Sequence, residues 1–232
     1  IVCRLLEAED FDIFGAQEPY KFQIEDMAAA LPGYTWIGTS VTGEDNVERR
    51  HFNPIFYKTD KFEVLESGSF WYSETPNVPN TKFSDSYSPR MCNWAHFRVK
   101  ATGKEFYYFN THLDHVSEEA RIKGIGVVLD KIAQFGSLPA MIMGDFNVEE
   151  DTETYRSATE NFLDVKYQTK DPIKSCTYQN WGNRLDDDCI DYIMISKTGF
   201  RVNSYNVVRT TYDGVYPSDH FPITASLTLT QG

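Results

Sequence analysis

The sequence predicts an α+β fold in a single domain over residues 1–232. Three observations carry that prediction. Many short apolar segments have strand character, and only a few stretches have helical spacing. Met91 to Val99 and Glu105 to Thr111 flank Thr102-Gly103, a hairpin signature. The long hairpin-rich middle breaks the regular β–α alternation that a doubly wound parallel sheet requires.

The elements follow in order. Ile1 to Leu6 reads as the end of an amphipathic helix already inside a fold, so further residues are expected upstream. Asp12 to Gln17 is an apolar run that reads as a buried strand. Tyr20 to Leu31 has helical spacing through Phe22, Met27 and Leu31, and Pro32-Gly33 stops it. Tyr34 to Thr39 and Pro54 to Tyr57 are strands around a polar loop, Gly43 to Arg50. Phe62 to Trp71 is a strand with imperfect alternation. Ser73 to Pro89, rich in Pro, Ser and Asn, is a long loop. Ser117 to Phe135 is the clearest helix: Ser117 caps it, Glu118 and Glu119 suit its first turn, and Ile122, Ile125, Leu129 and Ile132 form a stripe. Pro139 to Met143 is a fully apolar strand, and a short helix is expected at Asp151 to Ala158. Strands at Cys189 to Ile195, Arg201 to Val208 and Phe221 to Thr230 complete the chain.

Hydrophobic content of 41% and aromatic content of 15% indicate a globular core. No apolar run is long enough to span a membrane. The net charge of −12 opposes tight sequence-independent binding of long nucleic acid, which needs many phosphate contacts. The spacing of Cys3, Cys92, Cys176 and Cys189 fits no zinc motif. Cys176 and Cys189 either pair across a hairpin or stay as buried thiols. Asp186-Asp187-Asp188 reads as a solvated hairpin tip, not a metal site.

Chemistry-bearing residues recur where apolar runs end. Gly144-Asp145-Phe146-Asn147 follows a strand, and in an extended segment Asp145 and Asn147 point to the same side. One can hold water or accept a proton; the other can donate to a phosphoryl oxygen. A turn is the plain alternative. Ser218-Asp219-His220 sets a carboxylate beside an imidazole. Asp191 interrupts an apolar strand, where burial is costly without a partner, and His220 is the obvious one. Glu18 ends the strand at Asp12 to Gln17, with a helix-start carboxylate as its alternative role. Asn110-Thr111-His112-Leu113 ends another strand, followed by Asp114 and His115. Oxygen ligands with imidazoles at one sheet edge point to a divalent-metal phosphoryl site.

In this order the motifs resemble the endonuclease/exonuclease/phosphatase superfamily, over nearly the whole chain. Asn53-Pro54-Ile55-Phe56-Tyr57, Thr177-Tyr178 and Trp181-Gly182 add to the likeness, and Ser73-Glu74-Thr75-Pro76 is similar to a bacterial branch whose members are often exported. The resemblance implies a four-layer α/β/β/α sandwich of two mixed, largely antiparallel sheets. It implies that Glu18 is the principal metal ligand, with Asp219 beside the metal. Asp145 orients or deprotonates the attacking water, Asn147 holds a phosphoryl oxygen, His220 binds phosphate steadied by Asp191, and His112 stabilises the pentacovalent state. The chain departs from the pattern twice. The usual first strand with its Asn is missing, and Cys189 stands where relatives commonly carry a basic residue.

A single acid or base contributes roughly 10²–10⁴ in rate, far short of what phosphate esters need. A cation must therefore join the carboxylates, and oxygen ligation favours Mg2+ or Mn2+ over zinc. Arg90, leaving the Pro-rich loop, and Arg121, in the first turns of the helix after His112, are candidate substrate clamps. Trp181, with Tyr72 and Trp94, is a candidate aromatic wall, core packing being the alternative. The expected function is metal-dependent hydrolysis of a phosphodiester or phosphomonoester by in-line attack of an activated water. The substrate is a phosphorylated small molecule, a lipid headgroup or nucleic acid, and the protein a monomer. The competing readings are a non-catalytic phosphate- or nucleic-acid-binding module that keeps the fold, and a zinc hydrolase built on His112, Asp114 and His115.

Overall fold

Three apolar cores separate four layers, and each core follows from the phase of the strands. The computed structural model describes residues 1–45, 49–173, 175–184 and 189–230. A six-stranded mixed sheet forms one inner layer, in the order β4 (Phe62–Trp71), β5 (Met91–Val99), β6 (Glu105–His112), β7 (Ala140–Asp145), β9 (Asp191–Ser196), β8 (Phe162–Asp164). All its pairs are antiparallel except β6–β7, which α3 (Glu118–Phe135) joins by crossing over one face. Successive strand residues face opposite sides. On β6, Tyr107 and Phe109 pack under α3 and α4 (Glu153–Asn161), with Ile125, Val128, Tyr155 and Ala158. Phe106 and Tyr108 face the other way, into the core between the sheets. The same parity puts Asn110 and His112 on the inner side.

The second inner layer is in two pieces rather than one sheet: β1 (Ile13–Gly15), β3 (Ile55–Lys58) and β2 (Tyr34–Ile37) in the order β1-β3-β2, and the hairpin of β10 (Phe200–Val207) with β11 (Ile223–Leu229). Ile55 and Tyr57 face the central core, and Phe56 faces α1 (Val2–Glu9) and α2 (Lys21–Ala30), which supply Leu5, Leu6, Ile24 and Met27. The fold is thus the expected α/β/β/α sandwich. A cleft of about 1820 Å³ runs between the two pieces. Phe106, Tyr108, Met141, Met143 and Ile193 line it, and at one end it opens onto Glu18, Asp145 and His220.

Some expectations need correction. β1 is half-buried, not buried: among the described residues it pairs only with β3. The buried face of α3 is Ala120, Gly124, Ile125 and Val128, so Ile122 lies off the stripe while Leu129 and Ile132 pack at its margin. The imperfect alternation of β4 is a register shift between Val64 and Glu66. β8 and the 3-10 turn Val165–Gln168 had no periodic signal, being only three and four residues long. Of the two alternatives left open for Cys176 and Cys189, the structure has buried thiols. Asp186, Asp187 and Asp188, and part of the Gly43 to Arg50 loop, lie outside the described residues. Among the described residues no helix is long and apolar enough to cross a membrane.

Candidate active site

Three adjacent strands deliver their polar ends side by side. In register, His112 of β6 pairs with Asp145 of β7, and Asp145 pairs with Asp191 of β9. All three are buried. His112 Nε2 lies 3.5 Å from Asp145 Oδ2, and His220 Nε2 approaches the same oxygen at 3.9 Å. His220 Nδ1 lies 2.8 Å from Asp191 Oδ2. Thr177 aligns the last two residues: its hydroxyl accepts from Asp191 N–H at 3.1 Å, and its carbonyl accepts from Phe221 N–H at 2.6 Å. Tyr178 then packs on the His220 ring with centroids 5.1 Å apart.

The electrostatics divide the two imidazoles. Burial, with the Arg90 guanidinium next, pushes His112 well below the usual histidine range. Burial opposes charge on His220 too, but Asp191, then Asp145 and Asp219, hold its imidazolium up to about 10. Burial and the Asp191 carboxylate push Asp145 up to about 7.

The exit from β7 is a tight turn. Gly144 has φ 142°, and a Cβ there would lie 1.9 Å from the Thr111 carbonyl oxygen of the neighbouring strand. Asn147 is not extended: its φ is 54°, its N–H donates to Asp145 Oδ1 at 2.8 Å, and its Nδ2 donates to the Leu113 carbonyl at 3.1 Å. Asn147 therefore braces the turn that presents Asp145, and both residues line the cleft.

Glu18 closes the site from the second layer. Its Oε1 lies 3.6 Å from Arg90 Nη1, 3.7 Å from His51 Nδ1 and 3.8 Å from His112 Nδ1. Glu18 is joined to Asp145 through His112, so the chain of contacts runs unbroken from Glu18 to Asp191. Asp219 sits in the turn before His220, and its carbonyl accepts from Gln179 N–H at 2.8 Å and Asn180 N–H at 3.1 Å.

The substrate candidates separate. Arg90 is buried against the centre, with Nη1 2.8 Å from His112 Nδ1 and Nη2 2.9 Å from His115 Nδ1. Its Nε is a buried donor without a partner among the described residues. Trp181 is 57% exposed at the cleft mouth, held at φ 57° by the loop bound to Asp219. Arg121 instead serves its own helix start, donating to the Asp114 carbonyl at 2.9 Å and to Glu118 at 3.0 Å. Tyr72 and Trp94 are core residues under α3, not a wall. The zinc triad does not assemble. A guanidinium stands at hydrogen-bond distance from His112 and His115, and Asp114 accepts from the N–H groups of Val116, Ser117 and Tyr87. His51, which sequence reasoning missed, reaches Glu18 from a polar loop that has no periodic signal.

The donor set suits a hard divalent cation. The carboxylates of Asp145 and Asp191 lie within 4.8 Å of one another and of His220, which as an imidazolium bonded to Asp191 adds a donor rather than a ligand atom. Two neighbouring buried carboxylates are mutually unfavourable, as the raised Asp145 shows, and a cation offsets that repulsion. Glu18 and Asp219 line the same cleft.

The fold agrees with comparisons to known proteins. The chain is 36% identical to a mannosyl-6-phosphatase of Bacteroides thetaiotaomicron, with a TM-score of 0.87 over 98% of this chain and 89% of that one. It is 33% identical to an endonuclease/exonuclease/phosphatase of Bacteroides vulgatus, with a TM-score of 0.90 over 98% and 88% of the two chains. Human Nocturnin is 26% identical over 152 residues, which are 57% of this chain and 35% of Nocturnin, so the match spans about a third of that relative's length. A model of the Endonuclease/Exonuclease/phosphatase family matches residues 1–220, the stretch that carries every strand-end motif from Glu18 to His220, and the chain belongs to that family.

Proposed function

We propose that this protein is a divalent-metal-dependent phosphoric ester hydrolase acting on a phosphorylated small molecule, with a sugar phosphate as the first candidate. The observation that carries the reading is the register-locked row His112, Asp145, Asp191, closed by His220 against Asp191. Support for a small substrate comes from the net charge of −12 and from the likeness to a sugar phosphatase at 36% identity.

Asp145, with its carboxyl raised to about 7, is matched to a general base near neutral pH. It takes a proton from the attacking water as the water oxygen bonds to phosphorus. The ester P–O bond breaks on the opposite side, and the leaving oxygen takes a proton from solvent. His220, held as imidazolium, donates to a phosphoryl oxygen. His112, held neutral, accepts from Arg90 at Nδ1 and donates from Nε2, the nitrogen that faces Asp145, as charge builds in the pentacovalent state. Asn147 contributes a further donor to a phosphoryl oxygen, and Arg90 binds the phosphate flank. Glu18 and Asp219 would hold Mg2+ or Mn2+ next to the Asp145–Asp191–His220 group. Bound there, the cation would supply Lewis-acid stabilisation of phosphoryl charge.

The test is a phosphoester panel with and without Mg2+ or Mn2+: hexose 6-phosphates, an aryl phosphate diester and a single-stranded oligonucleotide. Metal-dependent release of phosphate from a hexose phosphate is expected. Turnover of the oligonucleotide alone would overturn the substrate class. Full activity in folded Asp145→Ala and His220→Ala would overturn the chemistry. A calorimetric titration that finds no saturable metal site would favour the non-catalytic module.

A further inference from the structure

Asn110 is fully buried two residues before His112 on β6, and its amide points across the sandwich rather than into the reacting centre. Nδ2 donates to the Ala16 carbonyl at 3.0 Å and to the Pro54 carbonyl at 2.9 Å. Oδ1 accepts from Gln17 Nε2 at 2.6 Å. An Asn side chain offers two N–H donors and a carbonyl, and here all are engaged by backbone and side chain of the opposite layer. The close approach has a sequence signature. Gly15 carries no Cβ, and one there would lie 2.6 Å from Asn110 Cγ.

The residue after Gln17 is Glu18, whose φ is 67°. That conformation is unfavourable for a side chain with a Cβ, and a residue before proline is further restricted to extended backbone. Pro19 follows, and its carbonyl accepts from Phe52 N–H at 3.0 Å. Glu18 is thus turned in a strained conformation between two anchors: the Asn110 amide on one side and the Pro19–Phe52 bond on the other. Strain of this kind persists only where the surroundings over-determine it.

We propose that Asn110 is a positioning residue for the divalent cation, setting the Glu18 carboxylate in the frame that β6 also provides for His112. This rests on the reading of Glu18 as a metal ligand. Asn110 touches neither substrate nor metal; it acts through Gln17 and the backbone of Ala16. Because Asn110 and His112 share one strand face, the two sides of the site cannot drift apart while the amide is satisfied.

The test compares wild type with Glu18→Gln, Asn110→Asp and Gln17→Met in the whole chain. Affinity for Mn2+ alone is read by calorimetry and by the electron paramagnetic resonance of free Mn2+, without substrate, and folding is read by circular dichroism and thermal melting. Asn110→Asp keeps the shape but sets a carboxylate oxygen against the Ala16 and Pro54 carbonyls. Loss of Mn2+ affinity of roughly ten- to a hundredfold is expected, the range seen when a residue supporting a metal ligand is removed. Gln17→Met, which removes one partner of the amide, should shift affinity in the same direction by less. Excess Mn2+ should restore most of the turnover in both, and a lowered affinity measured well below the melting temperature of each variant separates lost positioning from general destabilisation. A folded Asn110→Asp variant with wild-type Mn2+ affinity overturns the proposal. If Asn110→Asp does not fold, unchanged affinity in Gln17→Met overturns it equally. Wild-type affinity in Glu18→Gln would instead remove Glu18 as a ligand, a separate failure of the underlying reading.

Discussion

His220 Nδ1 stands 2.8 Å from Asp191 Oδ2, and Thr177 ties the segments that carry them. With Nδ1 committed to Asp191, Nε2 faces Asp145 at 3.9 Å and the cleft. One hydrogen bond therefore sets ring orientation and charge together.

Replacing Asp191 by Asn removes the charge but keeps the shape. The His220 imidazolium should then titrate nearer 6.5 than about 10, measured by NMR of the ring. Turnover at neutral pH should fall by roughly 10²-fold or more, the cost of weakening one preorganised donor to developing charge.

In chelator, stability should fall as pH rises. For His220 the folded form binds its proton more tightly than the unfolded chain, so its contribution is full below 6.5 and disappears as pH passes about 10. Asp145 is also raised, from 3.8 to about 7, so it too favours the protonated folded state and destabilises increasingly across that interval. Below pH 6.5 the lowered His112 acts in the opposite sense, because only its unfolded form takes up a proton there, and it offsets Asp145; the melting temperature should therefore decline chiefly between pH 6.5 and about 10. Asp145→Asn should flatten the lower part of the profile and His220→Gln the upper part. Saturating Mn2+ should raise the melting point most above pH 7, where Asp145 is ionised. A flat melting profile in chelator would contradict the assigned shifts.

Gly144→Ala should unfold the protein or cost more than about 3 kcal/mol by urea titration, the range of strong overpacking. The new Cβ would meet the Thr111 carbonyl oxygen at 1.9 Å, and neither parallel strand can yield without breaking the register of His112 with Asp145.

Arg90 and Arg121 should respond oppositely. Arg90→Lys keeps charge but loses the fork that reaches both His112 and His115, so KM should rise roughly tenfold or more, about the cost of one charge-assisted contact. Arg121→Ala should lower the melting temperature and leave KM for the same substrate unchanged, since its bonds hold the start of α3.

Trp181→Ala should leave stability within about 0.5 kcal/mol, as surface substitutions do. KM for a hexose phosphate should rise several-fold, while inhibition by inorganic phosphate stays constant, because stacking acts on the part of the substrate that phosphate lacks. Equal KM values in variant and wild type would remove Trp181 from the substrate site.

Much of this molecule is legible one strand at a time. A period of two assigns faces within a strand, so Phe106, Tyr108, Asn110 and His112 on β6, or Asp191 and Ile193 on β9, fall on one side before any fold is known. The interruption of an apolar run by Asp191 is likewise a local signal, and its cost points to His220 as partner. What lies between segments has no such signal. Arg90 arrives between His112 and His115 from a long loop. Glu18 is turned to φ 67° by an amide 92 residues away in sequence. Asn147 becomes a brace instead of an extended neighbour of Asp145. Local periodicity specifies which face a side chain takes, because backbone geometry repeats along the chain. Which faces meet depends on register and layer packing, and those are settled by the summed burial and hydrogen bonding of residues far apart in sequence.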